Sequence, residues 1–264
     1  MTKRKLFKII APLFATGGLS ALILISVKEY VQYKEIFDDV AAWSAFFSVF
    51  GIVYAIVAGF LLVTVLTKYS DLNQAIENEL NAIETVRDFL TYLNDEKNEV
   101  KMSIKEALSH YSFSLLNNEW PEMSDPHEPM DSDTSEELYE IMRKSKKISV
   151  DTENDGIVFT AIIENISDIT KLRTRRIALA NERLPPRLKI LMIFMSIVLV
   201  AAFIVLGVQN IYTHIAILVS LSVSIHLLYM VIEDLDHPFY GIWNINRLPL
   251  DALVKRFSKD IGAL

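Results

Sequence analysis

The distribution of charge constrains this chain more than any motif does. Asp, Glu, Lys and Arg are absent from Ile9–Val27, Val40–Thr67 and Ile190–Ile232, about 90 of the 264 residues, so all 26 basic and 33 acidic side chains fall in the remainder. A hydrocarbon core about 30 Å thick is crossed by roughly 20 apolar residues rising 1.5 Å each. The first two runs are one span each, and the third, about 43 residues, holds two, with a hairpin at Gly207 and Gln209-Asn210. The overall 52% hydrophobic and 22% charged would suit a soluble domain. Their segregation excludes one.

The expected class is all-α, with four transmembrane helices and a large helical cytoplasmic insertion between spans two and three. The spans are read as residues 9–27, 40–67, 188–208 and 212–232. Of the basic residues only Lys28 and Lys34 fall in the expected outer segments, 28–39 and 209–211, while Lys171, Arg173, Arg175, Arg176, Arg183, Arg187 and Lys189 crowd the approach to span three. By the positive-inside rule residues 1–8, 68–187 and 233–264 are cytoplasmic, which makes a multi-pass cell (inner) membrane protein with both termini inside. The first run has a basic lead, Lys3, Arg4, Lys5 and Lys8, but ends in Ser26-Val27-Lys28 without a small-x-small cleavage pattern, so it reads as a retained span.

Within the insertion, Leu72, Ile76, Leu80 and Ile83 continue span two as an amphipathic rod, with Leu90 and Leu93 beyond it. Val100, Ile104, Leu108, Tyr111 and Leu115 predict a second helix, broken at Pro121. Pro121–Ser135 reads as a solvated acidic loop, followed by a short helix over Glu136–Lys144. After a linker at Asp151–Gly156, Ile162, Ile166, Ile169, Ile177 and Ala180 predict a long helix that ends at Pro185-Pro186.

An enzyme is not expected. With no cysteine and only eight glycines, the chain has no thiol nucleophile, no Cys-based metal site and little material for phosphate-cradling loops. No P-loop, zincin or kinase signature is present. The run Asp131 to Glu137 lacks the central glycine and distal glutamate of a calcium loop. No metal, cofactor or nucleic-acid partner is expected. The membrane-proximal arginines suit anionic lipid head groups or an ion vestibule.

Span two carries two patterned faces. Ser44, Ser48, Gly51, Ala55 and Gly59 form a small-residue face, suited to close helix packing or to lining a pore. Phe46, Phe50 and Tyr54 recur every fourth residue on another face, with Trp43 and Phe47 beside them. They pack in the bundle or against lipid, or, repeated about a symmetry axis, form a hydrophobic constriction that gates by dewetting. His226, near the middle of span four, is an intramembrane polar residue expected to make an interhelical hydrogen bond rather than serve a proton relay.

Several segments together resemble the bestrophin-like family, membrane proteins of bacteria and plants known by a domain of unknown function and distantly similar to bestrophin anion channels. They are Phe50-Gly51 through Phe60 into Lys68-Tyr69-Ser70; Glu79; Tyr111; Glu119-Trp120-Pro121; Arg173 with Arg175-Arg176; Leu184-Pro185; and Leu235-Asp236-His237-Pro238-Phe239-Tyr240-Gly241 after span four. The resemblance implies a homo-oligomer, by analogy a pentamer, that passes inorganic anions, with neck residues at four-residue steps on span two. Phe46, Phe50 and Tyr54 have that spacing. Bestrophins follow their Pro-Phe-Gly with an acidic run that binds calcium, whereas Gly241 here is followed by Ile-Trp-Asn-Ile-Asn. That departure argues against a calcium clasp. The alternative function is a membrane-anchored scaffold or signalling protein whose cytoplasmic helices bind partners without conduction.

Overall fold

The structure, a computed structural model, describes residues 3–30, 40–123, 135–206, 208–240 and 242–262. The outer segment 31–39, most of the acidic loop and Gly241 lie outside the described residues. Among those described the fold is entirely helical. The helices are α1 (Lys3–Tyr30), α2 (Val40–Phe89), α3 (Asn98–Ser114), α4 (Trp120–Met123), α5 (Glu136–Ser145), α6 (Glu153–Asn181), α7 (Pro186–Ile204), α8 (Ile211–Asp236) and α9 (Leu248–Asp260). They belong to two compact units, one of residues 1–66 with 183–236, the other of residues 67–182 with 237–264.

The first unit holds α1, the N-terminal part of α2, α7 and α8. Four helical stretches are long and apolar enough to cross a membrane. Large apolar side chains such as Phe14, Leu22, Phe194 and Ile197 stand exposed along α1 and α7, an arrangement costly in water and suited to lipid. Gly17 explains how α1 meets α8: a Cβ there would lie 3.2 Å from Val219 Cγ1 and 3.3 Å from Val223 Cγ2. The α7–α8 hairpin is held by polar groups at its turn. Asn210 caps α8, its Oδ1 accepting from Tyr212 N at 2.9 Å and Thr213 N at 3.3 Å. His214 Nε2 donates to Phe203 O at 2.8 Å, and Lys28 Nζ reaches Val208 O at 2.9 Å. Proline at the first position of α7 is pre-set for a helix start, so Pro185-Pro186 ends one helix and opens the next.

The second unit is built around a buried apolar core. The stripe Leu72, Ile76, Leu80 and Ile83 on α2 is buried, as are Ile104, Leu108 and Leu115. Ile162, Ile166 and Ile169 of α6 and Leu250, Leu253 and Phe257 of α9 complete the same core. α9 was not foreseen as a separate helix. It docks through Arg87 Nε to Asp260 Oδ2 at 2.6 Å and through an Arg256–Glu84 ion pair. α6 starts one residue after Thr152, earlier than the expected linker allows, because Thr152 and Asp155 form a capping box: Thr152 Oγ1 accepts from Asp155 N at 3.1 Å while Asp155 Oδ2 accepts from Thr152 N at 3.1 Å. Lys97 Nζ, 2.8 Å from Asp155 Oδ2, holds that carboxyl below its usual range, chiefly through the hydrogen bond it donates.

Candidate functional site

Pro121 does not end the helix that precedes it. Its ring leaves no room for the carbonyl four residues back, and the chain responds by widening: Leu115–Glu119 is a π-turn, closed by Trp120 N donating to Leu115 O, after which α4 carries the proline. The widened turn matters because it aims Glu119 into the core, where sequence-distant residues converge. Arg176 on α6 is completely buried. Its Nε donates to Glu79 Oε2 at 2.7 Å, its Nη2 to Glu119 Oε2 at 2.5 Å and to Glu79 Oε1 at 3.3 Å, and its Nη1 lies 3.1 Å from Met123 Sδ. Arg173, one turn earlier, donates from Nε to Glu119 Oε1 at 2.9 Å. The Tyr111 hydroxyl donates to Glu79 Oε1.

Two guanidiniums thus face two carboxylates, and every oxygen of both carboxylates accepts at least one hydrogen bond. Burial by itself would lower the Arg176 pKa, but Glu79, Tyr111 and Glu119 together hold it above the ordinary arginine value. Burial, reinforced by the Glu79 charge, pushes the Tyr111 hydroxyl well above the usual tyrosine range, so it stays a donor. This overturns one sequence expectation: Arg173 and Arg176 face neither lipid head groups nor an ion vestibule. They are sealed in the helical domain, 4% and 0% exposed, because two acids from other helices match their charge. Arg175, on the opposite side of α6, is exposed.

The other segments that carry the family resemblance also hold the fold together. Phe239 packs edge-on against Trp120, ring centres 5.2 Å apart, and Pro238 O accepts from Ile245 N at 2.8 Å. Lys68 donates to the carbonyl of Glu182, just past the end of α6. In the first unit, buried Asp236 accepts from Leu184 N at 2.9 Å through Oδ1 and pairs with Lys189 Nζ at 2.8 Å through Oδ2, tying the end of α8 to the entry of α7.

A family model described as a bestrophin-like domain matches residues 15–250. The chain belongs to the bestrophin-like family. Two crystal structures of single-substitution variants of a bacterial bestrophin homolog from Klebsiella pneumoniae are similar to this bestrophin-like chain. One has a TM-score of 0.72 at 18% identity, covering 97% of this chain and 98% of the other. The second has a TM-score of 0.71 at 18% identity, covering 100% and 98%. At that identity the likeness is one of fold. No curated protein matches the chain.

The aromatic and small-residue series expected on span two lie on α2 of this bestrophin-like protein. Phe46 and Phe50 stack, centroids 5.2 Å apart, and Phe47 packs on Phe203 at 4.8 Å. Tyr54 is placed differently: it is buried within the unit, its hydroxyl 3.3 Å from Ser196 Oγ, on a face shared with Ala58, Leu61 and Val65. The opposite face carries Ile52, Ile56 and Phe60, 61–66% exposed, a second apolar series at four-residue steps that sequence reading passed over. Spacing could have shown it. Only packing shows which series is free.

The small-residue face is open as well: a Cβ on Gly51 or Gly59 would meet nothing within 4 Å, and Ser48 bonds only to its own helix, at Ser44 O. His226 makes no hydrogen bond among the described residues, so the expected interhelical partner is not present there. No group of three metal-ligating side chains occurs among the described residues.

Proposed function

We propose that this bestrophin-like chain assembles as a homo-oligomeric, anion-permeable channel in the cell membrane, with α2 lining the axis and the second unit, together with both termini, in the cytoplasm. One observation carries the reading. The transmembrane part of α2 leaves a continuous apolar face, Ile52, Ile56, Phe60 and Val63, unpacked by its own chain, as a pore-lining helix must. A single subunit with four spans has too few helices to surround a pore, so conduction requires several copies. The positive-inside bias supports the orientation, and the family supports the channel class.

For the neck, two series on α2 compete. Phe46, Phe50 and Tyr54 remain a candidate through the Phe46–Phe50 stack, but placing Tyr54 on the axis would require withdrawing it from its packing near Ser196. Ile52, Ile56 and Phe60 need no rearrangement and are favoured. The open Gly51 and Gly59 flank that face and suit contact with a neighbouring subunit. A scaffold without conduction is the second reading, supported by the self-contained core of the second unit.

Chloride efflux from liposomes reconstituted with purified protein tests the proposal. Efflux above that of empty vesicles is expected. Equal efflux, with a monomer or dimer in detergent, leaves the scaffold.

A further inference from the structure

The groove between α1, α7 and α8 lies wholly within the first unit and encloses about 520 Å³, within the size range of small-molecule sites. Its lining is mostly apolar and contains no Asp, Glu, Lys or Arg, so it suits an uncharged occupant. Most of its hydroxyls are already used. Thr16 Oγ1 donates to Pro12 O at 2.8 Å, Ser20 Oγ to Gly17 O at 2.9 Å, and Ser196 Oγ to Met192 O at 2.8 Å.

The Ser222 and Tyr229 hydroxyls are the exceptions among the described residues, and of the two only Ser222 is buried. It is 4% exposed, lines the groove, and its hydroxyl has no hydrogen-bond partner. His226, one turn further along α8, lines the same groove with an imidazole that makes no hydrogen bond among the described residues. Buried polar groups are normally paired, and in hydrocarbon there is no water to substitute, so the idle Ser222 hydroxyl, with the half-buried His226 one turn away, marks a place for something else.

Depth selects the class of occupant. In the 26-residue α8, Ser222 stands about 16 Å from Ile211 and about 21 Å from Asp236 at 1.5 Å per residue, close to the middle of the span. The polar atoms of a phospholipid sit outside the hydrocarbon core, about 15 Å from its centre, and offer only methylene groups at this level. The occupant therefore carries its polar group into the membrane interior.

We propose that this groove binds a neutral, membrane-dissolved lipophile with a carbonyl head, of the quinone class, its oxygen accepting from Ser222 and His226 and its ring lying near Tyr229.

The full chain in phosphatidylcholine nanodiscs is titrated with tritiated decyl-benzoquinone. Saturable binding is expected, weakened at least tenfold in Ser222→Ala and in His226→Leu, and not displaced by decylbenzene, which has the same tail without carbonyls. Ser222→Ala deletes an unpartnered hydroxyl, so its thermal midpoint should match the parent chain and its binding defect be separable from folding. Absence of saturable binding, unchanged binding in Ser222→Ala, or equal competition by decylbenzene overturns the proposal. Because the chain has no cysteine, Ile197→Cys reports the remaining alternative: a disulfide-linked dimer formed by oxidation in the membrane would put a second copy on the groove and also overturn it. None of these outcomes depends on whether the protein conducts.

Discussion

Arg176 and Glu79 stand 97 positions apart in sequence, yet Arg176 Nε donates to Glu79 Oε2 at 2.7 Å with the two side chains 0% and 1% exposed. Removing one partner leaves the other charged and buried. Arg176→Ala and Glu79→Ala are each expected to destabilise the protein by about 3–5 kcal/mol, read as a large fall in thermal midpoint in detergent. The double replacement Arg176→Met with Glu79→Leu removes both charges and is expected to cost less than the two single changes summed.

The Tyr111 hydroxyl donates to Glu79 in the same cluster and is held well above the usual tyrosine range by burial first and the Glu79 charge second. An alkaline absorbance titration should therefore be the same for the parent chain and Tyr111→Phe until the protein unfolds, where the parent alone gains one extra ionising phenol. The variant loses a hydrogen bond to a charged acceptor, worth about 2 kcal/mol.

Asp260 is held below the usual carboxylate range, chiefly by the hydrogen bond from Arg87. Its folded pKa is lower than its unfolded value of about 3.9, so its contribution is complete above about pH 4 and disappears as the pH falls through the folded value. Arg87→Gln should lower stability at pH 7 by about 1 kcal/mol or less, as for other partly exposed pairs. The gap between variant and parent should close as the pH is lowered below 4, measured as thermal midpoint against pH.

Two glycines of the first unit should respond in opposite ways. Gly17→Leu forces a side chain against Val219 and Val223 and should destabilise the protein by about 1–3 kcal/mol, with partial recovery in the Val219→Ala background. Gly59→Leu meets nothing in its own chain, so the subunit should fold as before. If the open face meets a neighbouring subunit, native mass spectrometry should show Gly59→Leu with an altered stoichiometry.

The two candidate necks make different demands on conduction. Ile56→Ala and Phe60→Ala should raise chloride efflux several-fold by widening a dewetted constriction, while Tyr54→Phe leaves efflux unchanged because its hydroxyl lies near Ser196. The opposite pattern, with Phe50→Ala raising efflux and Ile56→Ala silent, would move the neck to the aromatic series.

Much of the helical plan could be read from particular residues. Leu72, Ile76, Leu80 and Ile83 extended the α2 pattern past the second apolar run, and α2 does continue to Phe89. The stripe Ile162, Ile166 and Ile169 marked the buried face of α6. These signals are local, since a helix places residues three and four apart on one face whatever surrounds it. The π-turn at Leu115–Glu119 was not legible in the same way. Pro121 announced a disturbance, but whether the chain would break or widen depended on the buried arginines waiting for Glu119.

That four helices are too apolar for water, and that the intervening helices have faces made for a core, was already written in the order of residues, because solvent preference is a property of each residue in its own stretch. The pairing came from packing in three dimensions. It withdrew Arg173 and Arg176 from the membrane surface into a neutral cluster with Glu79 and Glu119, because desolvating a charge is tolerable only where an opposite charge and its hydrogen bonds are within reach. It also turned Tyr54 toward α7 and left Ile52, Ile56 and Phe60 uncovered, because two series with the same spacing on one helix differ only in what packs against them.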